Sequence, residues 1–418
     1  MDKETAEKLI NLLKNDRKKV IQILINILED FDGKLKVPSE LLEELFIEKT
    51  KKKINEEEKQ VSTFIVDSET KKLYKYFDFS DFTYENLYIN TDKTSYNSLD
   101  IMRDNNIVFA TKKIINKVAR NCNFENIRIE GNFDGWNIEL SNFERCMGLP
   151  TINPNKTSNK SITGVTLGNT KVSGNCDGVD ITGASFLNAV IDKDFSINPQ
   201  TIKDKDLRRT ILSGVKLVGS FDEATINSTN FKGCQTELIL NLDKINPGSK
   251  KELKYNNFGG ITFEGDLTEY ELESNDFTGS KNAVIDFSKY SYIQISSKWN
   301  NFADVTFKNM YRAGEHFLFD NNNEFANSYV SYNSYNCGPE LRWYNNAKNT
   351  KGFKKIIMIN EDQEIEEEIK RIINPEIIKQ KIKKMESNQW FHFIFLTQLD
   401  SDQILQYHLI FLNQPPYQ

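Results

Sequence analysis

Apolar residues recur with two different periods along the chain, and the first of these periods is helical. Over residues 1–60 they follow one another at three- and four-residue steps from Leu9 to Phe31, which is the spacing of an amphipathic helix. A further helix is expected to begin near Ser39 and to continue into the charged stretch EKTKKKINEEEK, residues 48–59. Residues 1–60 are therefore predicted to be an N-terminal helical segment, either a cap or a bundle that docks a partner.

Residues 61–120 are predicted to form a hairpin and a connector. The sequence VSTFIVDSETKKLYK, residues 61–75, has a β-branched run and a second short run on either side of a D-S-E-T turn. Beyond it, Phe77, Phe82 and Leu87 are five residues apart. Because a helix repeats every 3.6 residues and a simple strand every two, a period of five indicates another kind of structure.

Residues 121–336 repeat this five-residue step in longer units. The turn-like segments GNFDG, GNCDG, GSFDEA, GDLTEY and NMYRAG start 43, 45, 46 and 44 residues after one another. A pair of apolar residues five apart precedes each segment, and the loop sequence INP recurs in three units. We interpret the pattern as about five units of roughly 45 residues. No such unit could bury its own apolar face, so the units are expected to stack.

A period of five fits a square coil, in which each face holds one short extended step and the chain turns at every corner. One residue per face then points to the axis, and successive coils stack at the strand spacing of about 4.8 Å. Two such coils and one protruding loop account for one unit. The candidate inward residues, which hold the central position of a step, are Phe124, Phe133, Phe143, Leu167, Ile181, Phe186, Leu217, Phe231, Phe258, Phe263, Phe277, Phe302 and Phe307.

Steps such as GASFLN, STNFKG and GVDITG resemble the pentapeptide-repeat pattern, in which a small or polar residue precedes Leu or Phe and two polar or small residues follow. The resemblance covers residues from about 120 to 335. It implies a right-handed quadrilateral β-helix with the residues above at its centre and the small residues two positions earlier also inside. Some members of that family are acidic rods that imitate duplex DNA and occupy basic DNA-binding channels, notably those of gyrase.

Residues 337–418 are predicted to form a C-terminal α/β unit that caps the array. FKKIIMIN, residues 353–360, has the pattern of a strand, and residues 361–385 have that of a helix broken by a proline. The apolar segment 390–412 contains two aspartates and fits two short strands better than a membrane span. An apolar contact with another protein is the competing use of this unit. The expected fold is thus mostly β, an irregular right-handed β-helix solenoid between helical and α/β ends.

The charge balance narrows the class of partner. The formal net charge is −6, and residues 121–336 carry all of it, with 21 Lys and Arg against 27 Asp and Glu. A mildly acidic body argues against direct binding of nucleic acid, which usually requires a basic face. The densest group of carboxylates is either a solvated face or an acidic patch for a basic partner protein, and it comprises Asp266, Glu269, Glu271, Glu273 and Asp276.

The sequence shows little that indicates catalysis. Its three histidines, His316, His392 and His408, lack metal-ligand spacing with one another or with cysteine, and no nucleotide-binding or hydrolase motif is present. No catalytic residue, metal or cofactor is therefore predicted. The five cysteines are odd in number and scattered, and the charged N-terminus shows no signal peptide, so reduced thiols and a cytoplasmic location are expected.

These observations together predict a non-enzymatic protein-binding scaffold that acts through its β-helix surface and side loops. The family resemblance suggests an acidic inhibitor of a nucleic-acid-binding enzyme or of a bacterial defence system, such as a phage-type anti-defence, anti-CRISPR or gyrase-binding protein. A structural or adhesive component of a larger assembly or toxin is one alternative, and self-association is left open. The other alternative is an enzyme with its site in the C-terminal unit. Its candidate residues are His392, Asp400, Asp402 and His408.

Overall fold

A computed structural model of the protein describes residues 1–90, 97–247, 251–286, 297–308, 323, 328–332 and 356–360. The chain divides into two compact units, Met1–Leu217 and Val218–Gln418. Both contain short parallel strands stacked as the coils of a β-solenoid, and the coils amount to about nine turns. The fold is mostly β, with four α-helices among the described residues.

The four helices of the first unit precede its two-residue coil strands in the chain. They are α1 (Lys3–Leu28), α2 (Ser39–Phe46), α3 (Ser68–Leu73) and α4 (Ser98–Asp104). Asp2 caps α1 by accepting a hydrogen bond from the amide of Thr5 at 2.9 Å, and Asp16 has a non-helical conformation that kinks the helix. Beyond the kink, Arg17 donates to the carbonyl of Leu45 at 2.6 Å. This bond holds α1 against α2, so the predicted N-terminal helices form a packed layer.

The prediction of a helix over the charged residues 48–59 is wrong. They belong instead to an antiparallel hairpin of β1 (Ile47–Ile54) and β2 (Glu57–Phe64). Asn55 and Glu56 join the strands with φ angles of 50° and 70°, and positive φ at both central residues is the signature of a two-residue hairpin turn. The turn therefore overrides the helix propensity of the flanking Lys and Glu residues.

The hairpin predicted for residues 61–75 is wrong as well, because only residues 61–64 are in a strand, where they form the end of β2. The D-S-E-T sequence starts a helix rather than a turn. Asp67 caps α3 by accepting hydrogen bonds from the amides of Glu69 at 3.1 Å and Thr70 at 2.7 Å. Aspartate is among the residues preferred at a helix N-cap, which explains why this sequence begins a helix and does not form a hairpin turn.

Seven two-residue strands define the coils of the first unit. They are β3 (Phe109–Ala110), β4 (Ile129–Glu130), β5 (Thr151–Ile152), β6 (Lys171–Val172), β7 (Val190–Ile191), β8 (Ser196–Ile197) and β9 (Lys216–Leu217). β3 pairs with β4, β5 with β6, β6 with β7, and β8 with β9, all in parallel. Asn123 also bridges Asn142, which is 19 residues further on. One coil without a side loop is therefore about as long as the square coil expected from the sequence.

The second unit has longer strands in three parallel sheets. The strands are β10 (Ile239–Asn241), β11 (Glu252–Lys254), β12 (Thr262–Glu264), β13 (Glu271–Glu273), β14 (Val284–Asp286), β15 (Ser297–Lys298), β16 (Thr306–Lys308), β17 (Ser328–Tyr332) and β18 (Ile356–Asn360). The sheet orders are β10-β12, β11-β13-β15 and β14-β16-β17-β18. β18 lies within the strand predicted at 353–360, whereas the predicted segments 361–385 and 390–412 lie outside the described residues.

The interior of the coils is filled by the side chains at the central positions of the five-residue steps. All thirteen candidate inward residues named from the sequence are buried. In the second unit, the rings of Phe258, Phe277 and Phe302 stack with centroid separations of 5.2 Å and 5.7 Å. The small residues Ala184 and Ala224, which lie two positions before a central residue, are buried as well. The five-residue spacing thus places two residues per face inside the coil.

Asparagines account for many of the corners. Asn121, Asn126, Asn169 and Asn188 have φ angles between 56° and 62°, in the left-handed region that asparagine tolerates better than most residues. Four such corners per coil are expected of a chain that turns after every short step. The high asparagine content of the sequence is therefore partly a consequence of the fold.

Candidate binding surface

Side chains fill the interior of the described coils, so a ligand could contact these coils only at their outer surface. The buried side chains of the coils are aliphatic, aromatic, cysteine or small and polar, such as serine, threonine and asparagine, and the largest of them, Trp136, is fully buried. Inward asparagines are engaged with one another and with the backbone. Asn300 donates to the carbonyl of Leu272 at 3.0 Å and to the side chain of Asn323 at 3.1 Å. A binding site in the coils must therefore be built from outward side chains.

The sheet β11-β13-β15 carries two of the five carboxylates that the sequence singled out. Its parallel register pairs Glu252 with Glu271 and Lys254 with Glu273. Lys254 Nζ lies 2.6 Å from Glu252 Oε2 and 3.4 Å from Glu271 Oε1. The hydrogen bond to Glu252 is the main cause that raises the pKa of Lys254, and the charge of Glu271 adds to it. This face consequently mixes acidic and basic groups.

The other three candidate carboxylates lie around this face. Asp266 accepts hydrogen bonds from the amides of Thr268 at 2.9 Å and Asp286 at 3.1 Å, so it holds a turn between strands. Glu269 ends that turn, and its side chain lies outside the described part of the chain. Asp276 lies three residues after the end of β13, on the next face. The five carboxylates therefore lie along one stretch of a coil, in the turn before β13, on β13 itself and on the face after it.

The corner after β13 carries a feature that the sequence analysis missed. Ser228, Tyr255, Ser274 and Trp299 occupy the same corner of successive coils, with φ angles of 60°, 59°, 54° and 56°. Tyr255 and Trp299 are 56% and 54% exposed. They lie one coil to either side of Ser274, so their backbones are roughly 9.6 Å apart at the usual strand spacing. We call the space above Ser274, between the two aromatic residues, the Tyr255–Trp299 slot.

Two carboxylates flank the slot. The phenol of Tyr255 donates to Glu273 Oε1 at 3.1 Å, which ties the aromatic ring to the acidic strand. On the other side, Asp276 accepts from the side-chain amides of Asn257 and Asn301, both at 3.1 Å. The slot therefore combines two aromatic side chains with two acidic groups.

A signal for the slot is present in the sequence once the coils are in register. The stretches NSTNF, KYNNF, ESNDF and KWNNF occupy residues 227–231, 254–258, 273–277 and 298–302. Aligned on their phenylalanines, they place Ser, Tyr, Ser and Trp in one column. The five-residue period alone does not reveal it, because outward corner residues carry no hydrophobic signal.

Outward charges of the first unit are paired between coils. Arg145 lies 3.1 Å from Glu125 and Lys171 lies 3.2 Å from Asp192, and in each pair the partners come from adjacent coils. These exposed pairs add little stability, because water and salt screen them. They do make the first unit a surface of mixed charge rather than an acidic row.

The chemistry of the described residues gives no metal site and no membrane span. Within them, His, Cys, Asp and Glu do not form a group of three or more that could hold a metal ion. None of the helices in this part of the chain has the length and apolar character needed to cross a bilayer. The comparison of the sequence with protein-family models and with curated proteins finds no match.

Proposed function

We propose that the protein is a non-enzymatic scaffold that binds another protein through the outer surface of its β-solenoid. The observation that carries the proposal is the filled interior, in which central aromatic side chains and engaged asparagines occupy the axis of the coils. A solenoid of this kind offers rigid faces and side loops to partners. We assign the contact to the face formed by β11, β13 and β15, where candidate carboxylates and exposed aromatic residues lie together.

The partner that this face fits best is a protein with a basic surface. Glu271, Glu273 and Asp276 contribute negative charge, which favours encounter with such a surface and fixes its register. An inhibitor of a nucleic-acid-binding enzyme or of a bacterial defence system would work in this way. The ion pairs on the first unit support a mixed-charge protein contact more than an extended imitation of duplex DNA.

We further propose that the coils are those of a right-handed quadrilateral β-helix related to pentapeptide-repeat proteins, in about five double-coil units. Support comes from the 19-residue offset between bridged coils and from the burial of the central residues and of small residues two positions earlier. The four described cysteines, Cys122, Cys146, Cys176 and Cys234, are free, which supports a reducing, cytoplasmic location.

Affinity capture from host lysate tests the proposal. The full chain is immobilised beside a variant with Glu271→Lys and Glu273→Lys, bound proteins are eluted with increasing salt, and fractions are identified by mass spectrometry. The proposal expects a protein with a basic surface on the parent chain, released as salt screens the contact, and depleted on the variant. Recovery of copies of this chain alone would favour a structural assembly. Equal capture by both chains would contradict the assignment to this face.

A further inference from the structure

We propose that the Tyr255–Trp299 slot receives an arginine side chain of the partner, an inference that rests on the proposed function and names the chemistry of its contact. A guanidinium group stacks on aromatic faces and pairs with carboxylates in a planar geometry. The slot supplies both kinds of group around Ser274, and no other pair of exposed aromatic residues shares a corner column among the described coils.

The conformation of the two aromatic residues argues for a use beyond folding. The left-handed region is sterically unfavourable for a non-glycine residue, and a bulky side chain has less reason to be there than asparagine. Both residues are also more than half exposed, so they give up part of the stability that burial would provide. Serine fills the same column at Ser228 and Ser274, which shows that the corner does not require an aromatic side chain.

Asp276 supplies the charge that favours a cation, because Glu273 lies in register with Lys254 and Lys298 on the neighbouring strands. Glu273 accepts the hydrogen bond from Tyr255, so its carboxylate is held beside the ring. The hydrogen bonds that Asp276 accepts come from neutral groups, namely the amides and hydroxyl of Asn257, Asn301 and Thr278. Its negative charge is therefore oriented by these bonds without being neutralised by them. Arginine fits this arrangement better than lysine because its flat guanidinium can stack and pair at once.

The spacing of the slot suits one inserted side chain. One coil lies between the two aromatic residues, and its corner carries only the short hydroxyl of Ser274. Such a corner leaves room for a planar group beside the exposed aromatic residues and near the carboxylates. Arginine, tyrosine and tryptophan are also the residues that most often dominate the energy of protein interfaces.

A peptide titration tests the inference on the full chain. The probe is a fluorescently labelled glycine-spaced arginine peptide, and the comparison peptide has citrulline, a neutral isostere, at each arginine. We expect the arginine peptide to bind and the citrulline peptide to bind at least tenfold more weakly. Tyr255→Ser and Trp299→Ser should each weaken arginine binding about threefold to fivefold, because an exposed cation–π contact contributes about 0.5–1 kcal/mol.

Two further variants separate the slot from general charge and from loss of fold. Leu140→Ser is the matched control, because Leu140 is also a left-handed corner residue, with φ 59° and 48% exposure, and it lies in the first unit. It should leave binding unchanged. Glu273→Gln keeps an acceptor for Tyr255 but removes the charge, and should weaken binding by a similar factor. Thermal unfolding of every variant confirms that the chain is folded.

The outcomes that would overturn the inference are distinct from those that would overturn the proposed function. Three results would each reject the slot as an arginine site. The serine variants could bind the arginine peptide as tightly as the parent chain, or the citrulline peptide could bind as tightly as the arginine peptide. The third result is that the aromatic residues support binding of a β-linked oligosaccharide in place of the peptide. If lysate capture still yields a partner that the Glu271→Lys and Glu273→Lys variant loses, the scaffold function stands without the slot. If capture yields no partner, the scaffold function fails whatever the peptide does.

Discussion

The backbone amide and the side-chain amide of Asn256 both donate to the side-chain oxygen of Asn275, each at 3.1 Å. Asn275 donates in turn to the carbonyl of Leu253 at 2.7 Å and to the side chain of Asn300 at 3.0 Å. The inward amides of successive coils therefore form a buried ladder that satisfies backbone groups at the corner beneath the Tyr255–Trp299 slot. The ladder links three successive coils by hydrogen bonds at the corner where the exposed aromatic residues lie.

Asn275→Ala should destabilise the second unit by about 2–6 kcal/mol, because the amide of Asn256 and the carbonyl of Leu253 would each lose a buried partner at about 1–3 kcal/mol. Urea unfolding monitored by circular dichroism measures the change. The control is Asn123→Ala, in the first unit, where an exposed asparagine accepts from Asn142 at 3.2 Å. Its effect should stay below about 1 kcal/mol. Equal losses in the two variants would show that the buried ladder has no special role.

Phe277→Ala should cost about 3–5 kcal/mol, the range for removing a buried phenylalanine from a core that cannot collapse around the cavity. Its ring lies 5.2 Å from that of Phe258 and 5.7 Å from that of Phe302, between centroids. Val190→Ala, at an exposed outward position, serves as the control and should change the unfolding midpoint little. An unchanged midpoint for Phe277→Ala would contradict the stacked interior.

Two corner glycines should respond differently to alanine. Gly148 and Gly178 have φ angles of 93° and 69°, so both substitutions strain the backbone, by about 1 kcal/mol. A Cβ at position 148 would also overlap the carbonyl oxygen of Ile129, whereas one at position 178 would meet open space. Gly148→Ala should therefore lower the thermal midpoint clearly more than Gly178→Ala. A reversed order would mean that the coils at Gly148 are further apart than described.

The buried thiols should make stability fall at alkaline pH. Burial raises the pKa of Cys122 from 9.0 to about 12 and that of Cys146 to about 11. The folded chain thus keeps protons that the unfolded chain releases above its ordinary pKa. The resulting stability is fully present below about pH 9 and declines as the pH rises from there towards the folded values. Urea midpoints at about pH 8 and about pH 10 measure the decline.

Cys122→Ala provides the control for this pH dependence. Removing one raised thiol should reduce the loss between the two pH values by about 1 kcal/mol, since one pKa unit corresponds to 1.36 kcal/mol. The same thiol should react slowly with a thiol reagent in the folded chain and rapidly in urea. If Cys122→Ala loses as much stability between the two pH values as the parent chain does, the decline is caused by other groups.

The inward half of the solenoid could be predicted from the sequence, because burial forces a hydrophobic side chain into each central position. Phe258, Phe277 and Phe302 each hold the central position of a five-residue step, although the loops between these steps differ in length. The charged hairpin could not be predicted, since Lys and Glu favour a helix by local propensity. There, the conformation of Asn55 and Glu56 and the packing of the strand ends decided the outcome.

The candidate surface was only partly predictable, for a different physical reason. Carboxylates such as Glu271 and Glu273 stand out by composition, but the identity of a neighbour on the next coil depends on the register. Tyr255 and Trp299 are 44 residues apart in sequence, and only the paired strands bring them to either side of Ser274. Long-range pairing of this kind leaves no local signal in the chain.

The measurement that tests the central claim most directly is the affinity of the captured partner for three chains. These are the parent chain, the variant with Glu271→Lys and Glu273→Lys, and a control with Glu144→Lys and Asp194→Lys, two exposed acids of the first unit. All three must show the same far-ultraviolet spectrum and comparable thermal midpoints. The account predicts a loss of about tenfold or more for the first variant, roughly 1.4 kcal/mol, and little change for the control. Unchanged affinity of the first variant, or an equal loss in both, would contradict binding through the face of β11, β13 and β15.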